Sequence, residues 1–499
     1  MSFRDTLLSH MNKSLGFEPT ACQSRLFEML ADFTVEPVKE SFILVVSGYA
    51  GTGKTSAISS YIRTLQYLGR KFKLVAPTGR SAKVLSSYSG QKASTIHKLI
   101  YRQKSMDGGV GKFTLDFNKD KDTVYIVDEC SLIQISESGR NEYSNIFGSG
   151  DILNDLVQYV CGFSSSTCDS LPFDNGNKII LVGDPAQLPP IGFDRSPALD
   201  IDYLRSCFNA VVSTELKTVV RQKQQSGILA NATMLRHLIE GDEMVTFDGV
   251  ASFSSGKIEL SEDYPDVERV SGGELIEKLT ECVESFGLDN VVVLCRSNNR
   301  ANRYNNGIRQ SVLFREEQLV KGDKLMVVKN CYQFLEDVPQ LDFIANGDVA
   351  ELVKISGFEE RYNLHFAQAT LEFPDYDNVS VKAKIILDTL TSTTPSLGAQ
   401  EQSELYKGVY ADWEMSIGKN KRKIMKEVRE DKYYNALQVK YATAITGHKS
   451  QGGQWKCVFI DNPFWSDEIT LDDKKWLYTA ITRGVEKVFF VNFKDSLFV

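Results

Sequence analysis

The segment Gly48-Tyr-Ala-Gly-Thr-Gly-Lys-Thr55 limits what this 499-residue chain can fold into more than any other stretch. It satisfies G-x-x-x-x-G-K-T, follows the apolar run Phe42–Val46 and leads into a helix expected over 56–68. Strand, glycine loop and helix in that order form a cradle for a nucleotide phosphate chain. Glycine lets the backbone turn around phosphate, and the first helical turn offers N–H groups with no partner inside the helix. Lys54 is placed to reach the β- and γ-phosphates of ATP and Thr55 to hold Mg²⁺. Gly48, Gly51, Thr52, Gly53 and Ser56 complete the expected cradle.

Further strands rich in Val, Ile and Leu follow at 73–77, 124–129 and 178–184, with helices between them. Such alternation indicates a mostly parallel sheet covered on both faces. Asp128 and Glu129 end one of these strands, at the ligand edge of a parallel sheet. Asp128 suits Mg²⁺, and Glu129 suits orienting and deprotonating a water. Gln187, in the loop GDPAQLPPIG after the next strand, is either a γ-phosphate contact or part of a structural loop.

Strands at 211–216, 291–295, 457–461 and 487–491 make a second α/β unit. A segment with Gly-Asp and Asn-Gly turns interrupts it and reads as a small barrel or meander. Six basic residues fall within 419–429, either on a solvated helix or on an arm that guides a polyanion or supports a partner. Residues 100–123 are too glycine-rich for a helix and suggest a hairpin or a small inserted domain. Residues 134–177 lack periodicity and read as a partly ordered insertion.

Composition narrows the class. Hydrophobic residues are 42 %, charged residues 24 % and the net charge is −8, an ordinary globular balance. This is not a basic coat protein, although a local groove can still bind phosphate. No apolar run approaches the roughly 18 residues of a membrane span, and the N-terminus does not read as a secretory signal. Nine cysteines without a C-x-x-C pair fit a reducing, intracellular setting. Five histidines without a cluster argue against a zinc site.

The ordered motifs resemble superfamily 1B helicases of the RecD and Dda type. The resemblance rests on Gln23, GYAGTGKT (48–55), APTGRSAK (76–83), STIHKLI (94–100), VDECS (127–131), GDPAQLPP (183–190), VVRQ (219–222), VVLCRSN (292–298), AITGHKSQGGQW (444–455) and YTAITRG (478–484). It implies that Gln23 recognises adenine and that Gln187 senses the γ-phosphate. Arg221 and Arg483 would reach that phosphate from the second domain, with Gln451 and Gly452 coupling a nucleic-acid loop to the nucleotide. Thr78, Lys83, Thr95, His97, Thr446, His448, Lys449 and Ser450 would line a single-strand groove; for the two histidines a structural role is the alternative. Phe113 and Phe117 are candidates for a strand-splitting pin, with core packing as the alternative.

The implied fold is α/β: two RecA-like parallel-sheet motor domains with a hairpin insert and an SH3-like insert carrying a helical arm. Residues 1–99 and 124–192 would form the first motor domain and 100–123 its hairpin. Residues 193–315 and 438–499 would form the second, with 316–437 as the SH3-like module. The implied activity is 5′–3′ unwinding by a monomeric motor on single-stranded DNA and on duplex junctions with a 5′ tail, within replication, recombination or repair. A translocating subunit with little unwinding of its own, an RNA-directed helicase, and a nucleotide kinase or GTPase are the rival readings.

Overall fold

The computed structural model describes residues 2–39, 41–104, 112–135, 149–162, 175–219, 226–241, 244–247, 250–253, 258–335, 338, 341, 343–464 and 468–498. Six strands form the first sheet, in the order Ala93–Thr95, Lys71–Ala76, Thr123–Val127, Lys178–Gly183, Ile43–Gly48, Val211–Leu216. Every pairing is parallel. Alternation along the central strand feeds two cores, because successive side chains point to opposite faces. Leu44 and Val46 pack with the helices Phe3–Leu15, Ala21–Val35 and Lys54–Tyr67. Ile43 and Val45 pack on the other face with the helices Ile152–Cys161 and Ile201–Cys207.

Two expectations change here. Val211–Leu216 does not belong to the second α/β unit: it pairs with Ile43–Gly48 in the first sheet, from Ile43↔Val211 to Gly48↔Leu216. Helix Ile201–Cys207 carries the chain back, and the strand covers the open side of Ile43–Gly48. An edge strand needs only part of its side chains buried, and here Val211, Thr214 and Leu216 are the buried ones. The first domain therefore runs past residue 192. Within 134–177, the expected irregular insertion contains helix Ile152–Cys161. Asp151 caps its start, and Leu153, Leu156, Val157 and Val160 bury its apolar face under the sheet.

The hairpin insert is an antiparallel pair, Tyr101–Lys104 with Lys112–Leu115. A second all-parallel sheet has five strands in the order Val267–Val270, Gly484–Val491, Trp455–Asp461, Val291–Cys295, Ala444–Thr446. Between its strands the chain builds a closed five-stranded barrel from Lys324–Val327, Val349–Arg361, Leu364–Phe373, Val379–Ile386 and Leu437–Tyr441. The last strand was expected in the second motor domain. Leu437, Val439 and Tyr441 instead alternate into the barrel interior, so the barrel closes at Tyr441.

Helices Ala399–Ile417 and Lys421–Glu430 leave the barrel as a paired arm. Leu405, Val409, Ile424 and Val428 seat it on Leu364, Phe366 and Ile386. The barrel also rests on the first domain. Lys83 Nζ donates to the Pro374 carbonyl at 2.8 Å and lies 3.4 Å from Asp375 Oδ1. Phe343 meets the His97 ring edge-on at 6.3 Å, beside the root of the hairpin.

Candidate nucleotide cleft and nucleic-acid interface

The glycine loop opens into a cleft of about 780 Å³ between the two parallel-sheet domains. Tyr49, Gly51, Lys54, Thr55, Asp128, Glu129, Asp184 and Gln187 line it from the first domain. Gly452, Trp455, Thr482 and Arg483 line it from the second. Gly51 and Gly53 take φ of 75° and 78°, which side chains other than glycine rarely adopt. A Cβ on Gly51 would also stand 2.7 Å from Leu229 Cδ2. Gly53 precedes helix Lys54–Tyr67, so the helix N–H groups open toward the cleft. Thr52 is buried and donates to the Tyr49 carbonyl at 2.8 Å, bracing the loop from within. Gly48 allows close packing: a Cβ there would meet Leu216 Cβ at 2.9 Å. Ser56 is exposed in the first helical turn and Thr55 lies on the cleft wall.

Lys54 Nζ donates to the carbonyls of Gly48 and Tyr49 and lies 3.9 Å from Asp184 Oδ2. Burial pushes the carboxyls of Asp128 and Glu129 above their ordinary range. For Asp128 the opposing influences are the Tyr88 hydroxyl, donating at 2.6 Å, and then the Glu129 N–H. For Glu129 the leading opposing influence is Arg483, across the cleft, followed by Lys54. Glu129 itself sits at φ 53°, in the left-handed region, at the strand-to-loop turn. Gln187 is 7 % exposed, and its Oε1 is buried with no hydrogen-bond partner among the described residues. An orphaned acceptor, a lysine, two carboxylates and a glycine-rich helix start fit a phosphate chain with Mg²⁺.

Arg483 is held for its position. Its Nε donates to the Thr479 carbonyl at 3.1 Å and Nη1 to the Gly453 carbonyl at 3.3 Å. Arg221 lies outside the described residues. Gln23 stands apart from this cleft wall: it is fully buried, and its Oε1 accepts from the Thr20 N–H as part of a helix capping box. Its Nε2 has no partner among the described residues.

The domain contact holds residues that motif spacing alone does not reveal. The Ala50 N–H donates to the Tyr478 hydroxyl at 2.8 Å, and that hydroxyl donates to Asp184 Oδ2 at 2.7 Å. One side chain of the second domain thus ties the glycine loop to the end of strand Lys178–Gly183. Nearby, the Leu188 N–H donates to Thr479 Oγ1 at 2.9 Å, and Gln451 Nε2 donates to the Leu188 carbonyl at 2.6 Å. The Arg80 guanidinium lies 3.9 Å above the Trp455 ring, bridging the domains again. Gly452, at φ 72°, lets this loop run against Ser81.

The expected strand-contact residues fall in different settings. Thr78 and Thr95 are helix caps, each hydroxyl accepting from the backbone three residues on. Lys83 is engaged by the barrel, as described above. Burial drives the His97 ring down to about 4, so it is neutral at ordinary pH, among Tyr101 and Phe343. Thr446 stands at the N-cap position of the short helix Gly447–Ser450 without a capping hydrogen bond from its side chain; within the helix, burial lowers the His448 ring and brings Lys449 down to about 8. Ser450 is fully buried and donates to the Gly447 carbonyl. Phe117 is 78 % exposed beyond the end of the hairpin ladder, so it is not a core residue. Phe113 pairs through its backbone with Gln103; its side chain lies outside the described residues, as do 105–111 at the hairpin tip.

Two family models match in chain order: an AAA domain over residues 34–140 and a UvrD-like helicase C-terminal domain over 441–491. The ATP-dependent RecD2 DNA helicase of Deinococcus radiodurans is 27 % identical over 198 residues, covering 39 % of this chain and 22 % of that protein. The ATP-dependent DNA helicase dda of Enterobacteria phage T4 is 22 % identical over 470 residues, covering 90 % of this chain and 94 % of its own. An uncharacterized protein of Methanocaldococcus jannaschii is 23 % identical over 96 % of this chain, which spans only 39 % of that relative's length. A crystal structure of a Bacteroides Pif1 helicase with ADP-AlF3 and ssDNA superimposes with a TM-score of 0.47 at 15 % identity, covering 97 % of this chain and 95 % of the other.

Proposed function

We propose that this chain, a superfamily 1B helicase of the RecD/Dda type, is an ATP-driven motor that moves 5′ to 3′ along single-stranded DNA and parts the duplex ahead of it. The observation that carries this reading is the cleft itself. Lys54, Asp128 and Glu129 stand on one wall, and Arg483 faces Glu129 from a different domain. A nucleotide site built by one domain could hydrolyse ATP without moving anything. A site split between two domains makes hydrolysis depend on their closure, so the chemical cycle drives relative motion.

The roles follow from the chemistry of the side chains. Lys54 and the glycine-loop N–H groups would hold the phosphates, and Thr55 and Asp128 would hold Mg²⁺. When bound, ATP·Mg²⁺ supplies the phosphoryl group whose transfer to water releases free energy. Glu129 is the carboxylate placed to accept the proton of that water. Its raised pKa, with Arg483 opposing the rise, brings it nearer the range useful for general-base work. Arg483 would offset charge gathering on the phosphoryl oxygens, and Gln187 would supply an acceptor that a bound water satisfies by donating to its Oε1. Tyr478, Thr479 and Gln451 transmit closure from this cleft to the loop 446–452, where Lys449 offers a cation to a strand backbone.

The hairpin Tyr101–Leu115 is the element that would meet the duplex, and the barrel braces its root through Phe343. The test is hydrolysis measured with and without single-stranded DNA, together with unwinding by a variant whose hairpin tip is replaced by a short turn. Strong stimulation by single strands, with unwinding lost and stimulation kept in the tip variant, is the expected result. Hydrolysis indifferent to DNA would return the chain to the class of nucleotide kinases and GTPases.

A further inference from the structure

The arm carries a feature that the motor cycle does not use. Residues Lys419, Lys421, Arg422, Lys423 and Lys426 are exposed and Arg429 is partly so. Among the described residues no carboxylate forms an ion pair with any of them, although Glu427 and Glu430 share the helix. This basic surface sits on a chain of net charge −8, so the local sign opposes the global one. An unneutralised cationic face on an acidic protein attracts polyanions locally while the rest of the surface repels them.

The face is also built to be rigid. Arg422, Lys426 and Arg429 recur at helical spacing on the side opposite Ile424 and Val428, which are both fully buried. Asn420 caps the helix through the Lys423 N–H, and Trp413 Nε1 donates to Asp431 Oδ2 at 3.1 Å, tying the two arm helices together near the end of the stripe. From Arg422 to Arg429 the helix rises about 10 Å, the axial rise of roughly three phosphates along one strand of B-form DNA.

Two observations select duplex over single strand. Single-strand binders interleave cations with aromatic platforms on which bases stack. Helix Lys421–Glu430 holds no aromatic residue, so it can read charge but not bases. The barrel that carries the arm also seats Phe343 against His97, beside the root of the hairpin that the motor reading sets at the junction.

We infer that the Arg422–Lys426–Arg429 stripe of the arm is a second DNA site, one that grips the sugar-phosphate backbone of the duplex ahead of the junction. This rests on the motor reading for the position of the junction, but the site has its own test. The full-length chain and its Arg422→Ala/Lys426→Ala/Arg429→Ala variant are titrated with a 5′-tailed duplex and with the tail alone, from about 50 to 200 mM salt. Three lost phosphate contacts should flatten the log–log salt slope on the tailed duplex by between about 2 and 3 and weaken low-salt binding at least about tenfold. Binding to the tail alone should stay unchanged, and the charge-preserving variant Arg422→Lys/Lys426→Arg/Arg429→Lys should behave like the wild type. An unchanged duplex slope, as expected if the stripe serves an acidic protein partner, would overturn the inference. So would an equal loss on the tail alone. A wild-type chain that shows the stripe-dependent slope but no DNA-stimulated hydrolysis would sink the motor reading and leave the duplex site standing.

Discussion

Replacing Tyr478 with Phe removes one oxygen from the contact between the motor domains and little else. Tyr478 is 1 % exposed, and its hydroxyl makes two interdomain hydrogen bonds, from the Ala50 N–H at 2.8 Å and to Asp184 Oδ2 at 2.7 Å. Asp184 keeps the Ala186 N–H at 3.0 Å on its other oxygen, so the variant leaves it partly satisfied. A hydrogen bond to a charged group contributes about 1.5–3 kcal/mol and one to a neutral N–H about 1 kcal/mol. With the retained partner discounted, closure should weaken by about 2 kcal/mol, or roughly thirtyfold. The open form rehydrates both groups, so the loss falls on closure and not on either domain alone. Saturating ATP restores closure by mass action. Steady-state hydrolysis should therefore show KM for ATP raised by roughly thirtyfold, with kcat within about a factor of two. An unchanged KM would refute the idea that this hydroxyl couples the domains. A fall in kcat alone would place Tyr478 in the chemistry instead.

The other predictions are shorter. Lys54→Ala and Glu129→Gln should each abolish turnover, while Glu129→Gln still retains nucleotide in equilibrium binding; measurable turnover in Glu129→Gln would remove it as the base. Arg483→Ala should lower kcat by about 10²–10³ while single-strand affinity changes less than about threefold, and an equal loss of both would make it a structural residue. His97 has its folded pKa lowered from 6.5 to about 4, so its contribution to stability is present above pH 6.5 and is lost as pH falls through 4. That contribution is at most about 3 kcal/mol, so His97→Phe should flatten the acid side of a thermal-melting profile between those pH values. An unchanged acid limb would show that another group governs it.

Much of the fold was legible because its signals are local. Val, Ile and Leu runs followed by Gly51, Gly53 and Lys54, or by Asp128 and Glu129, mark a parallel sheet and its ligand edge within a few residues. The glycine turns near Asn346 and Gly347 likewise mark short paired strands, a barrel or a meander. Strand Val211–Leu216 was misplaced because an edge strand looks the same in either sheet; pairing with Ile43–Gly48 is a long-range fact. Leu437–Tyr441 was misplaced for the same reason, since its alternation suits a barrel wall as well as a motor strand. Tyr478 lay inside a recognised motif, yet its hydroxyl matters only because folding brings Ala50 and Asp184 to it. Lys83 shows the reverse case: the resemblance implies a cation lining the single-strand groove, and the barrel carboxylate of Asp375 is what takes it up.

The most direct test of the motor is strand separation on matched duplexes with a 5′ or a 3′ single-stranded tail, each with DNA or RNA as the tailed strand. The account predicts ATP-dependent unwinding of the 5′-tailed DNA substrate, none with Lys54→Ala, and little on the 3′-tailed one. Unwinding only from a 3′ tail, or none from either tail despite DNA-stimulated hydrolysis, would contradict it.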